Sequence, residues 1–182
     1  CALPIWSQVA VDRIVASDLS LRDALKLTFA TSQAVFDAGI FAWDTKYVYD
    51  SVRPFTAINQ LFFGSVIDDS RGEQVAVTDP RDGWRPYQLR RNYTPPFPDI
   101  PSGHSTFSSA AASIFVELLD SNSFPAESLP FISRFSLPDG FDGDPENGNE
   151  EATLSWNYYS QAALEAGISR LYGGIHMMDG NW

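Results

Sequence analysis

The chain contains only two histidines, and each closes a short motif with glycine beside a hydroxyl or a cation. His104 ends "PSGH", Pro101 to His104. His176 ends "SRLYGGIH", Ser169 to His176, with Arg170 six residues before it. A third cluster, "KYVYDSVRP" from Lys46 to Pro54, holds Lys46 and Arg53 seven residues apart. These residue types together suit an oxyanion. Ammonium and guanidinium groups neutralise it, and arginine can bind paired oxygens in a fork. An imidazole can move protons near neutral pH or donate a lone pair to an electrophilic centre. Taken singly, the clusters are ordinary: a first-turn histidine, a charge stripe, a helix end. Their coincidence carries the reading.

Positioning such groups needs firm elements. Leu21, Leu25, Phe29, Ser32, Phe36, Ile40 and Trp43 recur at steps of three and four. They predict a long helix after Ser20 with that stripe against a core. Continued in register, the helix brings Lys46 and Arg53 to one face, and Pro54 perturbs or ends it. Residues 55–64 predict a short helix ending near Gly64. Residues 64–101 read as irregular and proline-rich, a loop long enough to shape a site. Phe107, Ala110, Ala111, Ile114, Phe115, Leu118 and Leu119 predict a helix over 103–119. Its N-terminus would offer unpaired backbone N–H groups to an anion, with the Ser102 hydroxyl and a close approach at Gly103. A further helix is expected from Thr153 to about Tyr172, with Ala162, Ala163, Ala166 and Gly167 on a small-residue face. Gly173 and Gly174 break it and can turn His176 back towards Arg170. No strand alternation stands out. The fold class read from the chain is all-α with long irregular loops.

Composition narrows the partners. A formal net charge of −11 argues against nucleic acid or an anionic membrane as the main partner. No apolar run approaches the roughly 18 residues of a spanning helix, so no membrane span is expected. The hydrophobic share of 44% suffices for a sizeable core. Cys1 is the single cysteine, which excludes an internal disulfide. Compartment stays open, with a secreted or periplasmic location preferred; homo-oligomerisation also stays open. The acidic segment Asp139 to Glu151 does not have EF-hand spacing and reads as a solvated loop. The glycosylation sequon at Asn92 is given little weight.

Lys-x6-Arg-Pro, Pro-Ser-Gly-His and Ser-Arg-x5-His occur in this order between Lys46 and His176. From Trp43 to His176 the sequence resembles the superfamily that unites vanadium-dependent haloperoxidases with acid and lipid phosphatases. "PPFPDIPSGHSTF" is most similar to fungal-type vanadium chloroperoxidases. The resemblance implies a helical bundle of the vanadium haloperoxidase/acid phosphatase type, with vanadate as cofactor and phosphate able to take the same site. It implies that Lys46, Arg53 and Arg170 neutralise equatorial oxygens, and that Ser102 and the Gly103 amide add hydrogen bonds. His176 would be the vanadium ligand and His104 the proton carrier at the opposite apex. Trp43 and Phe97 match positions where aromatic residues line the halide side; equally, they could simply pack the helix stripe and the proline-rich loop. The implied partners are hydrogen peroxide, a halide and an organic acceptor. Lys46 would polarise bound peroxide, and hypohalous acid would form. A soluble acid phosphatase using His176 as nucleophile is the alternative. A binding module without turnover is a third reading, against which the intact histidines count.

The chain also departs from the pattern. The family often has aspartate four residues after the second histidine, whereas Asp179 comes three after His176. The acidic residue that orients the first histidine in chloroperoxidases has no match here. The chain stops at Trp182, where the family usually continues. Residues 1–182 are therefore read as a single catalytic helical domain, part of a longer protein.

Overall fold

A computed structural model describes residues 2–81, 83–87, 94–124, 131–133, 152–154 and 156–181. The acidic segment at 139–151 lies outside these residues, as does Asn92. Among the described residues, five helices dominate: α1 (Ala2–Ala16), α2 (Leu21–Tyr49), α3 (Pro54–Leu61), α4 (Gly103–Leu119) and α5 (Tyr159–Tyr172). The fold is all-α, with two small antiparallel hairpins that the sequence did not suggest. In one, β1 (Val66–Asp68) pairs with β2 (Gln74–Ala76), Val66 opposite Ala76. In the other, β3 (Phe131–Ser133) pairs with β4 (Ala152–Leu154). Three-residue strands are too short to show a period of two. Thr153, expected to open a helix, lies in β4, and α5 begins six residues later. Among the described residues, no helix is long and apolar enough to cross a membrane.

α4 is the central helix, packed against both α2 and α5. Its expected apolar period holds: Ala111, Ala112 and Phe115 are buried, and Phe107, Ile114, Leu118 and Leu119 pack at the core's edge. α1 was not anticipated, yet its Trp6, Val9 and Ala10 reach the same core. Trp6 and Tyr159 flank Phe115, at ring-centroid distances of 5.8 and 4.8 Å. Full burial of each such ring favours folding by about 1.5–3 kcal/mol. The small face of α5 behaves as expected. A Cβ on Gly167 would stand 2.6 Å from Ser105 Oγ, so glycine is what lets α5 lie this close to α4.

The stripe assigned to the core on α2 faces the wrong way. Leu21, Leu25, Phe29, Phe36 and Ile40 are all exposed, and Trp43 is on the margin of exposure. The buried face is Ala24, Leu27, Thr31, Val35, Ala38, Ala42 and Lys46. Small residues win this face because they admit a close neighbour. Gly39 lies against Phe107, where a Cβ would come within 3.2 Å of the ring. Counting bulky apolar residues misses a contact made by removing bulk.

α2 also ends earlier than its register suggested. Asp50 caps it in the left-handed conformation, with φ 42°, and its N–H returns to Lys46 O. Arg53 is extended and precedes Pro54, which starts α3 at a position where its missing N–H costs nothing. Lys46 and Arg53 therefore meet across a turn, not along one helix face.

At the other end of the site, α5 stops at the glycine pair as expected. Gly174 has φ 68°, and a Cβ there would lie 3.1 Å from Pro86 and 3.3 Å from Trp84. Gly174→Val is expected to lower stability by about 1–3 kcal/mol, through backbone strain and the clash together. A urea midpoint equal to wild type would contradict this.

Candidate oxyanion site

The site forms where four pieces of chain meet: the last turn of α2, the turn into α3, the proline-rich strap 97–102 leading into α4, and the turn after α5. Lys46 is fully buried, an uncommon state for an ammonium group. Its Nζ donates to Pro98 O and Asp99 O, both at 2.9 Å, using two of its three donors. Arg53 is also buried. Its Nε donates to Phe97 O at 2.8 Å, Nη2 to Pro98 O at 3.1 Å, and Nη1 to Ile175 O at 2.7 Å. Backbone carbonyls of the strap thus grip both cations. Arg53 Nη1 also lies 3.3 Å from His176 Nε2.

His176 is buried, and its Nδ1 contacts the carboxylate of Asp99. Asp99 is the site residue that sequence reasoning missed. A fully buried carboxylate in "PFPDIP" is the one charge in a segment of prolines and apolar residues, and that isolation was the available signal. Asp179, three residues past His176, is exposed.

Ser102 is fully buried and takes the N-cap of α4, its Oγ accepting from Ser105 N at 3.5 Å. Its own backbone N–H donates to Gly180 O, which ties α4 to the turn after His176. Gly103 and His104 form the first turn of α4, with His104 half-buried. Arg170 lies in the last turn of α5 and is likewise half-buried.

Aromatic rings wall the cation arm. Trp43 packs on Phe97, centroids 5.1 Å apart, and on Phe107 at 6.1 Å. Lys46 Nζ is 5.3 Å from the Phe97 centroid and 5.9 Å from that of Trp43; the Arg53 guanidinium is 5.0 Å from Phe97. Both rings are thus close enough for cation–π attraction. Trp43 is not part of the buried α2 stripe.

The electrostatics tie the groups to one region. Burial, then Arg53, pushes Lys46 down to about 8, with Asp99 opposing. Burial pushes Arg53 down to about 10, against the pull of Asp99, and Arg170 adds to the depression. Burial also lowers Arg170. His104 falls to about 3, first through burial and then through Arg170, with His176 contributing. Burial lowers His176 too, while its bond to Asp99 works the other way. The cations and imidazoles therefore influence one another in a chain, and Asp99 opposes the loss of charge at Lys46, Arg53 and His176. Such a site disfavours further protons and favours an anion. Among the described residues, no group of three His, Cys, Asp or Glu side chains could hold a bare cation.

A pH dependence follows for the anion-free protein. His104 has an ordinary value of 6.5 when unfolded and about 3 when folded. Between those values the unfolded chain holds the extra proton. Stability is therefore full above about pH 6.5 and declines as pH falls towards 3. His176 acts in the same direction. A bound oxyanion offsets the cations, raises the folded value and flattens the decline. Unfolding midpoints at pH 7 and 4.5, with and without orthophosphate, test this; equal losses in both would contradict it.

Comparison with known proteins adds three findings. The family description "VCPO second helical-bundle domain" matches residues 26–182. A search of curated proteins gives no match. Among solved structures, the first bacterial vanadium-dependent iodoperoxidase is 30% identical with a TM-score of 0.65; 96% of this chain aligns with 33% of that one. The holo-type bacterial vanadium-dependent chloroperoxidase is 18% identical with a TM-score of 0.71, covering 99% of this chain and 37% of that one. Its apo-type counterpart is 19% identical with a TM-score of 0.68, and 91% of this chain aligns with 34% of it. The chain thus spans about a third of the length of these neighbours.

Proposed function

Since the chain belongs to the VCPO second helical-bundle family, we propose that it is the catalytic helical domain of a vanadate-dependent haloperoxidase. The reaction is oxidation of halide by hydrogen peroxide to hypohalous acid, with an organic acceptor downstream. One observation carries the reading: carbonyls of a single strap hold the buried Lys46 and Arg53, and Arg53 Nη1 lies 3.3 Å from Nε2 of the buried His176.

The residues suit vanadate. His176 carries the nitrogen ligand for vanadium, Nε2, beside Arg53. Lys46, Arg53, Arg170, the Ser102 hydroxyl and the Gly103 amide are the donors for its oxygens. Vanadate supplies, when bound, a Lewis-acid centre that activates peroxide. Lys46 is the catalytic cation: its remaining N–H polarises the bound oxidant. His104 would take and return the protons of the reaction; its basicity is lowered first by burial and then by Arg170, and only the second effect would be offset with an oxyanion in place. Trp43 and Phe97 shield the cation arm from water and form the halide side. Orthophosphate suits the same donors, so a soluble acid phosphatase with His176 as nucleophile is the alternative.

The deciding assay is bromide and iodide oxidation by peroxide, with and without orthovanadate, using the protein from which these residues come. Vanadate-dependent halogenation is expected. Phosphomonoester hydrolysis with no halogenation would move the assignment to the phosphatase.

A further inference from the structure

The carboxylate of Asp99 uses both oxygens on the turn that follows α5. One contacts His176 Nδ1; the other accepts from the backbone N–H of Met177 at 3.0 Å. Two consecutive residues are thereby held by one side chain. The carboxylate itself is anchored from behind. Asp99 N donates to Ser51 O at 3.0 Å, Ile100 N donates to Ser51 Oγ at 2.7 Å, and Lys46 Nζ donates to Asp99 O. Arg53 Nη1 stands 3.8 Å from Oδ1. The turn passes so close that a Cβ on Gly180 would lie 3.1 Å from Oδ2. Asp99 is fully buried, so no water substitutes for these partners.

We infer that Asp99 is the positioning residue of the site, clamping the His176 ring through Nδ1 so that Nε2 faces the cations. An ionised carboxylate only accepts hydrogen bonds, so Nδ1 must carry the hydrogen at this contact. A neutral imidazole then keeps its lone pair on Nε2, the nitrogen that lies beside Arg53. Outer partners of this kind fix the tautomer and orientation of a ligating histidine. Asp99 does this from the strap that also grips Lys46 and Arg53. Cation arm and nitrogen donor are therefore set by one segment. The inference rests on the proposed role of His176 for its consequence, but not for its geometry.

Two readouts test it. Long-range ¹H–¹⁵N correlation spectra of the anion-free protein report which ring nitrogen of His176 is protonated. Titration with orthovanadate, or with orthophosphate in its place, reports the anion site. Wild type is expected to show hydrogen on Nδ1. Asp99→Ala is expected to shift His176 towards the other tautomer and to raise the anion dissociation constant about 10–100-fold. Asp99→Asn preserves shape but offers one acceptor for two donors, and is expected to weaken binding less than alanine does. Hydrogen on Nε2 in wild type would overturn the inference. So would a folded Asp99→Ala with unchanged tautomer and affinity. Should Asp99→Ala fail to fold, the wild-type spectrum and Asp99→Asn decide. A protein that binds phosphate but never vanadate, yet shows Nδ1–H lost on Asp99 substitution, supports the clamp and removes the haloperoxidase reading.

Discussion

His176→Ala is expected to raise the orthovanadate dissociation constant by more than about 100-fold, beyond the usual effect of losing an outer partner. The argument has two parts. The substitution removes the nitrogen that faces Arg53 at 3.3 Å. It also leaves the buried Asp99 carboxylate without its imidazole, free to lean on Arg53, whose Nη1 is 3.8 Å away. One cation is then partly neutralised by the protein itself, so the site attracts an anion less. Leaving a buried acceptor without its donor costs stability as well, about 1–3 kcal/mol. His176→Asn separates the two effects, because its side-chain nitrogen takes the place of Nδ1. Its amide can still donate to Asp99, but it offers no imidazole lone pair. We expect it to keep more of the stability of wild type while losing tight binding. Vanadium NMR or fluorescence titration measures the affinity, and equal affinity in wild type and His176→Ala would contradict the ligand role.

His104→Ala is expected to behave in the opposite way, slowing halide oxidation about 10²–10⁴-fold at saturating orthovanadate. His104 opens α4 and is only half-buried, so its loss leaves no large cavity. The strap contacts of Lys46 and Arg53 and the Asp99–His176 contact do not involve it. Orthovanadate affinity should accordingly change only a few-fold. In the anion-free protein His104 stays neutral down to about pH 3, because burial and Arg170 oppose its charge. Part of that opposition, the charge of Arg170, would be offset by a bound oxyanion, so the His104 value is expected to rise when the anion binds. Turnover of His104→Ala close to wild type would remove His104 from the proton path.

Local rules explain what could be read without coordinates. Ser102 stands at the start of α4, and Gly173 and Gly174 end α5; Pro54, expected to perturb or end α2, instead opens α3. Each depends on a few neighbouring residues and on backbone sterics, so the linear chain carries the information. The seven motif residues, and the aromatic pair Trp43 and Phe97, were likewise legible as types at fixed spacings. The face of α2 was not. Both sides of that helix are apolar, and only the position of α4 selects the alanine-rich one. Asp99 was passed over because a single carboxylate among prolines has no local pattern to mark it.

The order of the cationic and imidazole groups, and the turns that release them from their helices, were determined by the sequence itself, through interactions that reach only a few residues. The tertiary structure alone decided that strap carbonyls hold Lys46 and Arg53, and that Asp99 rather than Asp179 meets His176. Those contacts join residues separated by 44 to 77 positions, from Arg53 with Phe97 to Asp99 with His176. Packing of α2 and α5 against α4 sets such distances, and no repeat along the chain encodes them.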